Sequence, residues 1–448
     1  MSNVTIKLRK GLNIQLKGEA ARTKIALNPN GRYALVPDDF EGVTPKVVVR
    51  EGDKIQAGDA LFVNKAFPNV KFSSPVSGTV AAVERGERRK VLCVKIDADK
   101  EQSYVDFSKR DVSRMDGKAV VDALLEAGLF GYINQLPYAV SANPETCPKS
   151  IFVSALRDKP LACNFDYEVE GQEHDFQTGL TALSKIAKTY LGIGPASKLG
   201  GMKDVEIAVF DGPCPAGNVG VQVNHLDPVN KGEVVWTIGD PTVVLFIGRL
   251  FNTGRVDLRR TIAFCGSEVK KPVHVDMLVG QELSTLVSNS YDAAHHVRII
   301  NGNVLTGTPT TKEGFLGAHT SEVTIIPEGD DADEFAGWIM PRVNQFSTSR
   351  SYLSWLFGKK KYALDARVKG GERHIIMSGE YDRVLPMDIY GEYLIKAIIT
   401  GDIDKMEQLG IYEVAPEDFA LAEFVDSSKL ELQRIVREGL NNLRKENA

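Results

Sequence analysis

Apolar and polar residues alternate in short runs through residues 45–97. One run, Val47 to Leu61, is punctuated by Gly52-Asp53 and Gly58-Asp59, and a second, Val70 to Val80, breaks at Ser74-Pro75 and Gly78. Alternation of period two marks half-buried strands, and Gly, Asp and Pro at the breaks mark tight turns. Gly52 and Gly58 suit turn positions that need positive φ, and the adjacent carboxylates suit turn amides. The stretch Val4 to Ile25 alternates weakly, with Gly11 and Gly18, and reads as short strands joining the same body. From Asp116 to Phe130 the period becomes helical, with Val120, Val121, Leu124, Leu125 and Leu129 on one stripe. A strand at Ser150–Ala155, a helix over about Asp175 to Leu191 and a compact apolar strand at Val205–Phe210 follow. This alternation predicts an α/β domain of Rossmann-like topology over residues 103–255. Near 256 the pattern changes again. Thr261–Gly266 and Lys271–Val275 read as a hairpin, Gly280–Ser288 as a short helix, and Val297–Ile300 as a strand before the turn Asn301-Gly302. These predict a small β-grasp (SLBB-like) domain over 256–328. An acidic linker, Glu328 to Glu334, opens a mixed, helix-rich region over 329–448, whose clearest helices are Ile389–Ile399 and Leu430–Leu443.

The first unit, residues 1–102, resembles the barrel-sandwich hybrid of biotinyl and lipoyl carriers. Those carriers present a Lys between Met or small residues at a hairpin tip. The corresponding tip here reads Asn64-Lys65-Ala66-Phe67-Pro68, so the unit reads as a scaffold, not a prosthetic-group carrier. A chain of 448 residues exceeds one core. A formal net charge of −5 argues against a dedicated nucleic-acid binder. The longest apolar stretch, Val243 to Phe251, is interrupted by Arg249 and is too short for a membrane span. Residues 7–12 show no apolar signal segment, so a cytoplasmic location is expected. Cysteines 93, 147, 163, 214 and 265 form no C-x-x-C pair. That spacing speaks against a ferredoxin-type cluster or structural zinc and for buried thiols.

Several segments carry candidate chemistry. Gly192-Ile-Gly194-Pro195 follows a helix and lacks a third glycine, so it reads as a helix-terminating loop, not a dinucleotide fingerprint. Gly212-Pro-Cys-Pro-Ala-Gly217-Asn-Val-Gly220 comes directly after a strand, where α/β folds place ligand loops. It serves either as a rigid turn or as a ligand contact, and it lacks the Lys-Ser/Thr ending of a P-loop. His225 and Asp227 would share a face on a strand and relay protons, or else His225 is a satisfied loop-edge imidazole. His295-His296 are adjacent and would diverge on a helix, so no metal is assigned. Tyr352-Leu-Ser-Trp355-Leu-Phe357-Gly-Lys359-Lys360-Lys361-Tyr362 joins aromatics to a basic run. It is either a solvated loop or an anchor for a membrane or partner through Trp355, Phe357, Lys359, Lys360 and Lys361.

Local strings along nearly the whole chain resemble the A subunits of the sodium-translocating NADH:quinone oxidoreductases. They include Ser74-Pro-Val-Ser-Gly78, Asp211-Gly-Pro, His225-Leu-Asp-Pro228, Trp236-Thr-Ile-Gly-Asp240, Gly248-Arg-Leu-Phe251-Asn-Thr-Gly254, Ser354-Trp-Leu-Phe357, Gly370-Gly-Glu-Arg373 and Val384-Leu-Pro-Met-Asp-Ile389. That family is similar to the C subunit of the Rnf complex and, more distantly, to the flavin-binding subunit of respiratory complex I. Where those relatives carry a glycine-rich flavin loop, this chain has Gly128-Leu-Phe-Gly131-Tyr132-Ile133-Asn-Gln-Leu136-Pro, and its C-terminal region has no cysteine. The resemblance therefore implies a redox scaffold without cofactors of its own, catalytic only within its complex. That complex uses NADH, flavins, iron–sulfur centres and quinone and exports sodium. The implied partners are its other subunits, the membrane-embedded B subunit in particular. The implied position is peripheral, on the cytoplasmic face of the bacterial inner membrane, toward the quinone end. Phe130, Tyr132, Tyr138 and His225 are then candidate quinone contacts, chosen by residue type and loop position. Two rival readings stay open: a soluble β-grasp and barrel-sandwich ligand-binding module without redox role, and an autonomous flavin or NAD enzyme.

Overall fold

The computed structural model describes residues 4–27, 31–330, 339–348, 352–358, 360–377 and 379–447. Two strands open the chain, β1 (Val4–Lys7) and β2 (Ala21–Ala26). Seven short strands follow: β3 (Arg32–Leu35), β4 (Pro45–Val47), β5 (Lys54–Ile55), β6 (Ala60–Asn64), β7 (Lys71–Ser73), β8 (Gly78–Arg85) and β9 (Val91–Ala98). They form two sheets, in the orders β3-β9-β8-β5 and β4-β6-β7. Gly52 (φ 89°) and Gly58 (φ 101°) take left-handed turn positions. Asp53 and Asp59 each accept from the amide three residues before them, at 2.7 Å. Phe62 and Phe72 stack in the barrel-sandwich core with centroids 4.7 Å apart.

The α/β region carries β10 (Asn134–Leu136), β11 (Val140–Ser141), β12 (Ile151–Ser154), β13 (Thr189–Ile193), β14 (Glu206–Asp211) and β15 (Val235–Ile238). Its helices are α1 (Gly117–Glu126), α2 (Phe165–Glu168), α3 (Glu173–Ile186), α4 (Val219–Leu226) and α5 (Thr242–Thr253). The sheet runs β1-β14-β13-β12-β15-β10-β11, parallel from β1 to β15. Counted from β12, the four central strands lie in the order 3-2-1-4. The order therefore reverses between β12 and β15, the switch point at which open α/β sheets bind ligands. Gly192-Ile-Gly194 does not close a helix. The helix stops at Ile186, and every residue of Thr189–Ile193 is buried, as a central strand covered on both faces requires. A Cβ at Gly192 would come 2.0 Å from Gln222 Oε1, so glycine lets α4 lie close on this strand.

The third region holds β16 (Arg259–Cys265), β17 (Val273–Leu278), α6 (Ser284–Val287), β18 (Val297–Asn301), β19 (Thr308–Thr310) and β20 (Glu322–Pro327). Its sheet runs β19-β18-β20-β16-β17-β2, with the expected β16–β17 hairpin antiparallel. The N-terminal strands do not join the barrel-sandwich. β1 extends the α/β sheet beside β14, and β2 extends the third sheet beside β17. Weak alternation locates a strand but not its partner, because the pairing is long-range. The acidic linker lies partly outside the described residues. Beyond it come α7 (Gly391–Thr400), α8 (Ile403–Gln408), α9 (Ala420–Val425) and α10 (Leu432–Glu446). They bury a core with Leu8, Phe210 and Val221, so the C-terminal region is clamped onto the α/β sheet.

Helix α5 explains the long apolar stretch: it is buried from Thr242 to Phe251. Arg249 is satisfied inside by the carbonyls of Asp257 and Arg259 and by Gln172. The backbones of α3 and α5 touch through glycines. A Cβ at Gly179 would lie 2.2 Å from Val244 O, and one at Gly248 would lie 1.7 Å from Asp175 O. Both contacts are with backbone, which cannot rotate aside. Gly248→Ala is therefore expected to destabilise the chain by about 1–3 kcal/mol through overpacking. Gly201→Ala, with nothing within 4 Å, should leave the urea midpoint nearly unchanged. Equal midpoints for the two variants would refute the close helix crossing.

Candidate functional site

The loop after α1, where the resemblance places a flavin in other proteins, is covered by the barrel-sandwich. A Cβ at Gly131 would meet the Phe72 ring at 2.3 Å, and one at Gly128 would meet Ser73 Oγ at 2.1 Å. Ser73 Oγ donates to Ala127 O at 2.8 Å and ties β7 to the helix end. Tyr132, 2% exposed, sits in an aromatic knot. Its ring lies 5.0 Å from Phe40, 5.5 Å from His319 and 6.0 Å from Phe246. These three neighbours come from the barrel-sandwich, the third region and α5. Burial pushes the Tyr132 hydroxyl up, so it stays protonated.

Beside this knot lies a buried ion cluster. Arg157, just beyond β12, donates to Glu168 at 2.7 Å and to Asp240 at 2.8 Å. Arg260, on β16, pairs with the other Asp240 oxygen at 2.9 Å. Thr242 Oγ1 accepts from Arg157 at 2.7 Å, and Glu168 accepts the amide of Thr261 at 3.0 Å. Burial alone would raise the Asp240 carboxyl, but Arg260 and Arg157 more than offset it and hold it well below the usual range. Two cations thus answer two carboxylates, and the β-grasp region is joined to the α/β sheet through them.

A cavity of about 480 Å³ opens at the switch point. Its floor is the residues following β12, β14 and β15: Arg157 to Lys159, Gly217, and Gly239-Asp240. The other regions supply its walls, through Asp39, Asn303, His319, Glu322, Glu417 and Arg437 among others. Large side chains therefore do not fill the whole niche. Tyr132, Ile133 and Leu136 are buried as expected, yet a polar chamber persists alongside them, because four separate regions meet at its rim. Burial raises the Asp39 carboxyl to about 6, against the opposing hydrogen bond from Ala318 N. Burial likewise raises Asp158 despite the Gly217 amide that it accepts at 2.8 Å. Burial lowers His319 and outweighs the Asp240 charge that opposes it, so the imidazole is neutral.

The 212–220 loop is architectural. The amides of Cys214, Ala216, Gly217 and Asn218 are taken by Asn13, Pro213, Asp158 and Pro215. A Cβ at Gly217 would meet Leu156 O at 2.2 Å. In α/β folds a helix start such as that of α4 is a natural seat for an anion. Here the C-terminal region fills that place with a carboxyl group of its own. Asp418 lies so close to Gly220 that a Cβ there would come 2.3 Å from Oδ2. Asp418 also accepts from Asn218 Nδ2 at 3.0 Å and from Ala415 N at 2.8 Å.

The four quinone candidates do not converge; only Tyr132 lines the cavity. Phe130 is fully buried, edge-on to Trp236 at 5.2 Å. Tyr138 packs under α10, its carbonyl accepting from Arg437 at 2.8 Å. His225 is not on a strand with Asp227. It lies in the last turn of helix α4 with Nδ1 2.9 Å from Val221 O. Asp227 instead pairs with Lys149 at 2.6 Å and accepts from Ser150 Oγ at 2.9 Å. The run Val219 to Leu226 has too few strand-breaking cues to betray its helix, which tertiary packing decides. His295 and His296 face Glu268 and Asp330 separately, at 3.0 Å and 2.7 Å. Among the described residues no group could hold a metal. Four thiols are buried, but Cys147 is exposed on a loop.

In the docking segment, Trp355, Leu356 and Phe357 are 46%, 59% and 52% exposed. Lys360 donates to Asn344 at 2.6 Å, and Lys361 pairs with Glu19 at 2.6 Å. Lys359 lies outside the described residues. Two of the lysines therefore serve local structure, and the apolar trio is what faces outward. Among the described residues no helix is long and apolar enough to cross a membrane.

Three family models match in series: the NqrA N-terminal barrel-sandwich hybrid domain over residues 6–99, the NqrA second alpha/beta domain over 115–256 and the NQRA C-terminal domain over 261–312. The A subunit of the Na(+)-translocating NADH-quinone reductase from Saccharophagus degradans is 34% identical over 98% of this chain and 100% of that one. The chain belongs to this NqrA family. The Haemophilus influenzae and Yersinia pestis members are 33% and 31% identical over the same shares. A solved NAD+-reducing [NiFe]-hydrogenase is similar at 12% identity and TM-score 0.34, over 77% of this chain and 67% of that one, too distant to bear on the fold.

Sequence reasoning on this NqrA-family chain missed Asp158, Lys159, His319, Glu322 and Asp418. One signal was available: Leu156-Arg-Asp-Lys159 directly follows an apolar strand, the position at which α/β folds gather ligand residues. The others arrive from distant regions and carry no local mark.

Asp418 gives a pH test. Burial raises its carboxyl to about 7 from 3.8, with Glu417 adding to the rise and the bonds from Ala415 and Asn218 opposing it. The folded chain then holds a proton that the unfolded chain releases near pH ~4. Its stabilising contribution is complete below that value and is lost as pH rises through about 7, by up to about 1.4 kcal/mol per pH unit. Asp418→Asn should flatten the fall in urea midpoint between about pH 4.5 and 7.5, relative to the parent chain. The slope is the readout, so a uniform loss of stability does not mask it. Parallel slopes would refute the protonated carboxyl.

Proposed function

We propose that this chain is a peripheral component of the sodium-pumping NADH:quinone oxidoreductase, seated on the cytoplasmic face of the membrane near the quinone-reducing side. It carries no flavin or iron–sulfur centre of its own and serves as a framework within the complex. The observation that carries the cofactor-free reading is Asp418, a carboxylate of the chain itself against the first turn of α4. A flavin phosphate would find that place already filled by the Asp418 carboxyl and the amides of Cys214, Ala216, Gly217 and Asn218 already bonded. The covered loop at Gly128–Tyr132 supports the same reading. Docking rests on Trp355, Leu356 and Phe357, whose exposure together is unusual away from an interface. The lysine run at 359–361 follows it directly in sequence, and the membrane-embedded B subunit is the partner proposed for it. The polar, carboxylate-rich cavity is poorly matched to a quinone ring, and the quinone-side role lies in placement.

Purified full-length chain should show no flavin or iron–sulfur absorbance; a stoichiometric visible chromophore would reject the cofactor-free reading. Replacing Trp355 and Phe357 with Ser, together with Lys359, Lys360 and Lys361 with Gln, should weaken cosedimentation with membranes containing the other subunits. The loss should be about tenfold or more, as for removal of a central aromatic anchor. Unchanged cosedimentation of a folded variant would dispose of the docking surface.

A further inference from the structure

The switch-point cavity has unanswered chemistry that neither the family reading nor the docking surface uses. Its cations are already engaged. Arg157 is held by Glu168 and Asp240, and Lys159 by Glu417 at 3.0 Å. Three wall carboxylates, Asp39, Asp158 and Glu322, have no cationic side chain within 4 Å among the described residues. Asp39 accepts the amide of Ala318, Asp158 accepts the amide of Gly217 and the Cys214 thiol, and Glu322 accepts from Ser321 Oγ at 2.5 Å, so none of the three is answered by a cation. A second observation is independent of these acids. The Tyr132 hydroxyl, on a side chain 2% exposed that lines the cavity, has no hydrogen-bond partner among the described residues. A buried hydroxyl without a partner is costly, and such groups in native proteins mark a missing ligand or water. His319 lines the same wall as a neutral imidazole and offers a lone pair. The free valences of the chamber are therefore predominantly acceptors under a negative potential. That combination selects donors carrying positive charge and rejects phosphate.

We propose that the switch-point cavity binds a small organic cation rich in N–H donors, an aliphatic polyamine or guanidinium compound, through Asp158, Glu322, Tyr132 and His319. A bare metal ion would leave most of the 480 Å³ unfilled, whereas that volume falls in the range of small-molecule sites. Gly239 lies on the floor of the cavity. A Cβ there would meet nothing closer than Val219 and Glu417 at 3.8 Å and 3.9 Å, so a side chain at this position projects into the chamber without displacing the fold.

Calorimetric titration of the full-length chain with spermidine at fixed ionic strength tests this, with sodium chloride, adenosine and flavin mononucleotide as the other arms. The expected result is saturable one-to-one binding of spermidine alone. Glu322→Gln should weaken it by about tenfold or more, the scale of one charge-assisted hydrogen bond. Gly239→Val should abolish it at an unchanged melting temperature, which keeps the test sound if Glu322→Gln fails to fold. Absence of saturable spermidine binding, equal affinity in parent and Gly239→Val chains, or tighter binding of adenosine would overturn the proposal. Binding of flavin mononucleotide would overturn it together with the cofactor-free reading, whereas failure of spermidine alone leaves that reading intact.

Discussion

The arrangement of the molecule depends on a neutral set of buried charges. Arg157, Glu168, Asp240 and Arg260 come from the end of β12, from α2, from the end of β15 and from β16. Each is nearly inaccessible to water, so each is tolerable only while the others are in place. Breaking a buried pair by removing one partner costs about 3–5 kcal/mol. The cluster consequently fixes more than stability. It sets where the third sheet stands relative to the α/β sheet, and therefore where His319 and Glu322, carried by that sheet and the loop before it, face the switch point.

The aromatic knot around Tyr132 applies the same constraint without charge. Phe40 and Phe72 come from the barrel-sandwich, and Phe246 from α5. The ring is held from several regions at once, and its hydroxyl is held by none. Polar satisfaction inside proteins is otherwise nearly complete. The contrast between a ring packed from every side and a hydroxyl left over points to a site and not to loose packing. Asp418 shows the complementary device. A carboxylate delivered from the C-terminal region lies against the helix start that would elsewhere receive a phosphate, and Asn218 joins it there.

How much of this was legible in the sequence follows from the range of the interactions. The hairpins of residues 45–97 were readable because Gly52, Asp53, Gly58 and Asp59 act within their own turns. The alternation of residues 103–255 marked the α/β class because β12, β14 and α3 announce themselves by local periodicity. The same locality misled at His225, where a short apolar run with little polar contrast fits strand and helix alike and burial against the sheet makes it α4. It failed for β1 and β2, whose partners lie more than 200 residues away in sequence. It also failed for the cavity, because no window of sequence contains Asp39, Asp158, His319 and Glu322 together. Tyr132 is buried, in keeping with its bulk, but a sequence has no sign for the space left next to it.

The persistence of the switch point itself needs an account. Parallel strands in the order 3-2-1-4 necessarily leave a crevice where neighbouring connections depart to opposite faces. A chain with no ligand there would be most stable with that crevice packed by apolar side chains, since replacing buried charges with well-packed hydrophobic groups is often neutral or stabilising. This chain instead sets Asp418 beside the start of α4 and lines the cavity with carboxylates drawn from separate regions. Burial raises Asp39 to about 6, and among the described residues no cationic side chain pairs with it to hold it down. A framework needing only rigidity would gain by neutralising that wall with one lysine or by filling it with leucine. Retention of an acceptor-lined chamber, beside an ion cluster that is fully paired, separates the two roles: the paired charges hold the regions in register, and the unpaired ones are arranged toward something that arrives from solution.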